Sequence, residues 1–403
     1  MKVLQAVPGI SSSYGGPSVS LVDMTRHLRV AGCDATIITT NNDPAGRLQV
    51  PLGVPVNVRG AEVIYFNVWP RGRYAFSTSL TRALLQVVRD YDLVHVHWLY
   101  NYSSLAAAAA AHRAGVPYIF QPHGSLDPHL MRENFILKKA YITLIGRHIM
   151  QGASGIIFTA EDERRLASLE KLAVRQYIVP VGFDWEQYCN LPPKGEFRRH
   201  IPEIGDRRIV LFLGRISRQK GLDLLISAFK QLISIHPDLH LVIVGPDGEG
   251  YGSHVRRWIR EAGVEDCTTF VGFIEPRIKL AAYVDSEVFV LPSYAENFGV
   301  TVAEALACRL PVVITDRVNI CDEIRRAQAG IVVECSVRSL VNGIDRVLAD
   351  RYLATDLAGN GHELVQKQYS WDIVVQKTLA VYRDVLDHKR GNRPRFPIDS
   401  SGV

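Results

Sequence analysis

The run Ile209-Val210-Leu211-Phe212-Leu213-Gly214-Arg215-Ile216-Ser217-Arg218-Gln219-Lys220-Gly221 decides how this chain folds. Five consecutive apolar residues read as a strand, a glycine ends it, and a helical stretch over 221–236 follows. The same unit recurs. Strands are expected at 239–244, 268–271, 288–291, 311–314 and 330–333, separated by helices at 251–262, 276–284, 299–308 and 336–349. Upstream, strands are expected at 2–7, 35–40, 62–65, 92–97, 117–121, 155–158 and 176–179, with helices at 17–31, 77–89, 102–114, 128–150 and 160–169. Strands alternating with helices predict βαβ units and parallel sheets, the α/β class.

The rhythm breaks once, at 189–207, where Pro192, Pro193 and Gly195 precede a charged stretch. That composition reads as a linker. It divides the chain into two Rossmann-like doubly wound domains, 1–188 and 208–370, expected to face one another across a cleft. Helices over 351–388 follow, and the basic, Pro/Ser-rich tail 389–403 is expected to be mobile. In open α/β sheets ligands sit at the carboxyl ends of strands, so chemistry is sought at strand-to-helix junctions.

Composition excludes several classes. The chain has 403 residues, 47% apolar and 22% charged, which suits a soluble globular protein of two or three domains. A formal net charge of +5 is too small for a polybasic nucleic-acid binder, and no nucleic-acid partner is expected. Six scattered cysteines form no Cys-x-x-Cys pair and read as reduced thiols of a cytoplasmic protein. The apolar start Met1–Gly9 is too short for a secretory core and reads as the first strand. No apolar run reaches the ~20 residues that cross a bilayer.

Several junctions carry chemistry. Gly15-Gly16-Pro17-Ser18 follows the first strand, where paired glycines let backbone approach an anion; a plain tight turn is the equal alternative. His95 and His97 share one side of a strand, and buried hydrogen-bonded histidines are preferred there over metal ligands. His123, in Gln121-Pro122-His123-Gly124, sits at a strand's carboxyl end in a loop stiffened by proline. Asp127 is expected to cap the following helix. Arg215, Arg218 and Lys220 place three cations within six residues at a helix start, a site for a highly charged anion such as a diphosphate. Tyr294-Ala295-Glu296-Asn297-Phe298-Gly299-Val300-Thr301-Val302-Ala303-Glu304 runs from a strand into a helix, and the first-turn amides of Phe298 to Thr301 are free to bind phosphate or sugar hydroxyls. Glu296 and Glu304, eight residues apart, would be about 12 Å apart along a helix, too far for a glycosidase pair.

These residues together resemble the retaining glycosyltransferases of family 4, also called group 1, with the two-domain GT-B fold. The resemblance rests on Gly15-Gly16-Pro17-Ser18, Pro122-His123-Gly124, Gly214-Arg215 with Lys220-Gly221, and Glu296-Asn297-Phe298-Gly299 with Glu304. It implies a nucleotide-sugar donor as substrate and no cofactor. Arg215 and Lys220 would neutralise the donor diphosphate, and Glu304 would accept from the ribose hydroxyls. Glu296 with the amides of Asn297, Phe298 and Gly299 would hold the sugar, and the amides of Val300 and Thr301 would reach the phosphate. Phe273 would border the base, His123 would contact the sugar near its reacting carbon, and Gly15 and Gly16 would approach the diphosphate. The resemblance also implies that the last helix, 371–388, packs back onto the first domain. Metal independence is expected, on the premise that the chain lacks an Asp-x-Asp triplet.

UDP-glucose is the first-choice donor and GDP-mannose the second, with a saccharide or lipid-linked saccharide as acceptor. Residues 130–150 set Arg132, Lys138, Lys139 and Arg147 among apolar positions against Glu133 alone. Such a helix suits peripheral contact with the inner membrane face, although a solvated domain helix is the plainer reading. Two rival functions are a nucleotide-sugar 2-epimerase of the same fold and a non-enzymatic bilobed sugar-binding protein.

Overall fold

In a computed structural model describing residues 1–11, 16–43, 46–70, 72, 74–247 and 250–389, the chain divides into two units, Met1–Gly182 with the chain from Trp371 onward, and Phe183–Ser370. Gly15 and the tail 390–403 lie outside the described residues.

The first unit is built on an eight-stranded sheet. Its chain order is β1 (Lys2–Ala6), α1 (Gly16–Val30), β2 (Asp34–Thr40), the small hairpin β3 (Asn42–Asp43) and β4 (Gly46–Arg47), β5 (Pro55–Val58), β6 (Ala61–Phe66), α2 (Thr78–Val87), β7 (Leu93–His97), α3 (Tyr102–Ala114) and β8 (Tyr118–Gln121). Then come α4 (Pro128–Met131), α5 (Phe135–Tyr141), α6 (Arg147–Gly152), β9 (Gly155–Phe158), α7 (Glu161–Ala167) and β10 (Gln176–Ile178). The sheet order is β10-β9-β8-β7-β1-β2-β6-β5, parallel throughout except for the edge strand β5. That edge strand was not expected from sequence. It starts at Pro55, which lacks the amide a central strand needs, and its side chains stay half exposed.

Strand alternation divides the core. Leu4 and Ala6 of β1 join Val94, Phe120 and Phe158 on one face of the sheet. Val3, Leu93, Ile119 and Ile157 point the other way, where Val374, Leu379 and Tyr382 of the last helix cover them. That helix, α16 in the full count (Trp371–Lys389), therefore belongs to the first unit. Arg175 pairs with its Asp384 at 2.6 Å.

The expected continuous helix over 128–150 is broken. Asn134 takes a left-handed conformation (φ 54°) between α4 and α5, and a π turn spans Ile142–Gly146 before α6.

The second unit contains α8 (Glu196–His200), β11 (Arg208–Leu213), α9 (Leu222–Ile235), β12 (Leu239–Val244), α10 (Gly252–Ala262), β13 (Thr268–Phe270), α11 (Pro276–Asp285) and β14 (Val288–Leu291). It continues through α12 (Val300–Ala307), β15 (Val312–Thr315), α13 (Cys321–Arg326), β16 (Ile331–Val333), α14 (Val337–Ala349) and α15 (Arg351–Gln368). Its sheet is all parallel, in the order β13-β12-β11-β14-β15-β16. Counted within the unit that order is 3-2-1-4-5-6, and the chain reverses direction across the sheet between β11 and β14.

The segment 189–207 is not the linker that its composition suggests but part of the second unit. Phe197 and Ile204 are fully buried in the second unit. The buried Asp285 accepts hydrogen bonds from the amides of Phe197 (2.9 Å) and Arg198 (3.1 Å), holding the start of α8. The two prolines and the charges made the segment look solvated, but the apolar residues between them are anchored. We predict that Phe197→Ala lowers the stability of the second unit by about 3–5 kcal/mol in denaturant unfolding. Unchanged stability would show that the segment is passive.

His95 and His97 are buried and hydrogen-bonded, as preferred from sequence. His95 Nδ1 meets Tyr382 Oη at 2.8 Å, and His97 Nε2 meets Gln5 Oε1 at 3.2 Å. Burial, then the neighbouring His123, lowers the His95 pKa to about 3, and burial followed by the adjacent histidines holds His97 well below its ordinary value. The unfolded chain therefore binds more protons between about pH 3 and 6.5, and the stability these neutral rings contribute is present above 6.5 and lost as pH falls. First-unit unfolding followed from pH 7.5 to 5 should steepen below pH 6.5, each ring withdrawing up to about 1.4 kcal/mol per pH unit. His95→Gln should flatten that slope; an equal slope in the variant would refute the account.

Candidate functional site

In the second unit the loops after β11, β12 and β14 meet at one sheet edge. Gly214 N donates to Val244 O (3.0 Å), Ile216 N to Pro246 O (3.0 Å), and Gly245 N to Gly272 O (2.9 Å). This approach leaves no room for side chains. A Cβ on Gly245 (φ 146°) would fall 1.9 Å from Gly214 O, and one on Gly221 (φ 64°) would fall 2.1 Å from Pro292 O. Tyr294 N donates to Gln219 O at 2.8 Å, tying the loop after β14 to the cationic turn.

That tie brings two distant motifs together. Lys220 Nζ is hydrogen-bonded to Glu296 Oε2 across 76 positions of sequence, both side chains mostly shielded. Arg215 is exposed and forms no hydrogen bond or ion pair among the described residues. The backbone of Glu296 is pinned by bonds to Arg317 O and from Asn319 N, each 3.0 Å.

α12 starts at Val300 after Gly299 in the left-handed conformation (φ 77°). Its Val302 and Ala303 amides return to Gly299 O, whereas the amides of Phe298, Gly299, Val300 and Thr301 have no acceptor among the described residues. Asn297 Oδ1 is buried and likewise has no partner among the described residues. A row of donors beside an unmatched acceptor, next to the Lys220–Glu296 pair, can take a ligand carrying anionic and hydroxyl groups.

The other expected residues separate by role. Glu304 is buried in α12, its Oε1 taking Lys279 Nζ at 2.7 Å and its Oε2 taking Tyr283 Oη at 2.8 Å. Lys279 and Tyr283 were not singled out from sequence, because nothing in α11 marks them until the fold sets them against Glu304. The Phe298 ring packs edge-on against Tyr369 at 5.0 Å, so only its backbone remains for a ligand. Phe273 follows β13 and is 80% exposed, an uncovered aromatic face at the same edge.

In the first unit, Gly16 opens α1. His123 sits beyond β8 in a left-handed conformation (φ 50°), stacked on Trp98 (φ 60°) with centroids 4.5 Å apart. Its loop is held by the buried Glu163, which accepts from Gly124 N and, at 2.6 Å, from Thr159 N. Burial raises the Glu163 pKa while those donors oppose the rise.

A hydrogen-bond chain fixes the His123 tautomer. The Thr25 hydroxyl donates to Leu21 O (2.8 Å) and so accepts from Gln5 Nε2 (2.8 Å). Gln5 Oε1 then faces a protonated His97 Nε2, leaving His97 Nδ1 to accept from His123 Nε2 at 2.9 Å. Desolvation lowers the His123 pKa to about 3, so the ring is neutral and its Nδ1 is an acceptor. Asp127 caps α4 through His129 N at 2.7 Å, as expected.

The premise behind metal independence needs correction. Asp90-Tyr91-Asp92 is an Asp-x-Asp triplet. It precedes β7, at the amino end of the strand, and Asp92 accepts from Lys2 N at 2.8 Å. The triplet therefore lies at the opposite sheet edge from His123.

The family described as "Glycosyl transferases group 1" matches residues 193–364, and that described as "Glycosyl transferase 4-like domain" matches 15–182. A D-inositol 3-phosphate glycosyltransferase of Acidothermus cellulolyticus is 27% identical over 95% of this chain and 88% of its own. The sucrose-phosphate synthase structure from Thermosynechococcus elongatus superposes with a TM-score of 0.74 at 22% identity, covering 96% and 99% of the two chains. The Anabaena protein Alr3699/HepE, solved with UDP and glucose, gives 0.74 at 18% identity over 95% and 100%. With a nucleotide-type strand order in each unit and both halves matched, the chain belongs to the group 1, family 4-like glycosyltransferases of GT-B fold.

Proposed function

We propose that the chain transfers a hexose, with retention of anomeric configuration, from a nucleotide diphosphate sugar to a saccharide or lipid-linked saccharide in polysaccharide or glycolipid synthesis. UDP-glucose is the first-choice donor and GDP-mannose the second. The setting is cytoplasmic, and no cofactor is assigned.

The observation that carries this reading is the edge between β11 and β14, where Lys220 is hydrogen-bonded to Glu296 next to the open first-turn amides of α12, with the exposed Arg215 in the same loop as Lys220. Breaking the anomeric bond puts negative charge on the departing diphosphate and positive charge on the sugar. Arg215, Lys220 and the Val300 and Thr301 amides answer the first without reorganising. Glu296, released in part from Lys220 as the diphosphate draws that ammonium away, takes sugar hydroxyls together with the Asn297 and Gly299 amides. Glu304, already oriented by Lys279 and Tyr283, keeps lone pairs for ribose hydroxyls. The exposed Phe273 ring borders the base. His123, neutral and with Nδ1 bare, accepts from a donor-sugar hydroxyl. The solved Alr3699/HepE structures with UDP and UDP-glucose support the choice of uridine donor.

Purified protein assayed for nucleotide release against a panel of nucleotide sugars with saccharide acceptors should prefer UDP-glucose. Acceptor-independent epimerisation of UDP-N-acetylglucosamine would replace the transferase reading with the epimerase one. Absence of any UDP binding in calorimetry would leave a plain sugar binder. Lys220→Ala should lower kcat by about 10²–10³-fold, the scale of losing one transition-state donor. Glu304→Ala should weaken nucleotide affinity, and His123→Ala should impair transfer with little change in nucleotide affinity. Wild-type kinetics in any of the three would remove that residue from the site.

A further inference from the structure

We infer that residues 132–148 of the first unit form a docking surface for an anionic lipid bilayer. The segment has apolar residues on two sides. Inward, Tyr141, Ile142 and Ile145 pack on the core of Leu99, Phe120 and Met150. Outward, Phe135, Ile136, Leu137 and Leu144 are 51%, 82%, 73% and 70% exposed. Ile136, Ala140 and Leu144 recur at four-residue spacing, and Leu137 lies seven before Leu144, so they share one face. Single exposed apolar residues are ordinary, but four large ones within ten positions are not.

Charge selects the occupant. Arg132, Lys139 and Arg147 are exposed around this face, and Lys138 stands half-buried over the Tyr100 ring at 5.7 Å. The Lys139 ammonium lies 5.5 Å over the Phe135 ring. Glu133 is the one carboxylate between 130 and 150. A bilayer offers hydrocarbon and phosphate together, matching both parts. Shape favours it over a protein groove. Phe135, Ile136 and Leu137 fan over ~200° of the helix surface, and a groove covers a narrower arc, whereas a fluid interface covers all of it. Among the described residues no helix is long and apolar enough to cross a membrane, so the contact is peripheral.

The test floats the full chain with vesicles of phosphatidylcholine alone or mixed equally with phosphatidylglycerol. Anionic vesicles should capture at least about tenfold more protein, and the difference should shrink at ~0.5 M salt. Ile136→Asp combined with Leu144→Asp should cut capture at least about tenfold with unchanged circular dichroism. Lys139→Glu with Arg147→Glu, which leaves the apolar face intact, should cut low-salt capture similarly and covers the case in which the first pair misfolds. Equal capture by both vesicle types, or wild-type capture in the charge-reversed variant, would overturn the inference. So would a wild-type dimer in light scattering that Ile136→Asp with Leu144→Asp turns into a monomer without any vesicle binding, since the face would then join two copies. None of these readouts depends on nucleotide binding, so failure of the donor reading leaves them intact.

Discussion

The reversal of strand order between β11 and β14 is the constraint on which the second unit's chemistry depends. Loops leaving neighbouring parallel strands toward opposite sides must part, and the gap lies beyond their carboxyl ends. The chain fills its flanks with the cationic turn after β11 and the Glu296 loop after β14. Lys220 and Glu296 then satisfy each other across that gap. Neither would be stable there alone, because each is mostly shielded and a lone shielded charge is costly. In the proposed donor complex each partner would exchange the other for a ligand group of opposite demand, phosphate for the ammonium and hydroxyls for the carboxylate.

Parallel strands were legible because both faces are covered. Runs such as Val288–Leu291 and Ile209–Leu213 are apolar without interruption, and only a sheet packed on both sides tolerates that. The misses are elements whose signals are mixed. β5 opens with proline at a half-exposed edge. α13 is six residues with acidic and basic halves and shows no periodicity long enough to read. The segment 189–207 hides the buried Phe197 and Ile204 among prolines and arginines. In each case long-range burial, absent from local sequence, decided the conformation.

The site was legible in part for the same reason. Arg215, Lys220, Glu296 and the α12 amides lie at strand ends within short motifs, so their chemistry is local. Phe298 was assigned by position in a motif, yet its ring serves the core against Tyr369. Lys279 and Tyr283 went unnoticed because their meaning comes only from Glu304. Gln5 and Thr25 were equally unmarked, and His97 was read only as a buried hydrogen-bonded histidine; together these three residues, on three elements, dictate which nitrogen of His123 is bare.

The two units thus present opposite hydrogen-bonding characters at their strand ends. The second offers cations and open amides, all donors, with the Glu296 and Glu304 carboxylates among them. The first offers a neutral imidazole whose proton is committed inward through His97 and Gln5 to Thr25. Holding that ring neutral has a physical rationale. Under the proposed transfer, in which the diphosphate departs and the sugar carries positive charge, a protonated His123 would oppose that charge, whereas a bare nitrogen would accept from a hydroxyl. Burial alone would keep the ring neutral but would leave either tautomer available. The relay removes that freedom, and the left-handed backbone at Trp98 and His123 is held by the stacked rings and the Glu163 anchor that fix the relay's outer end.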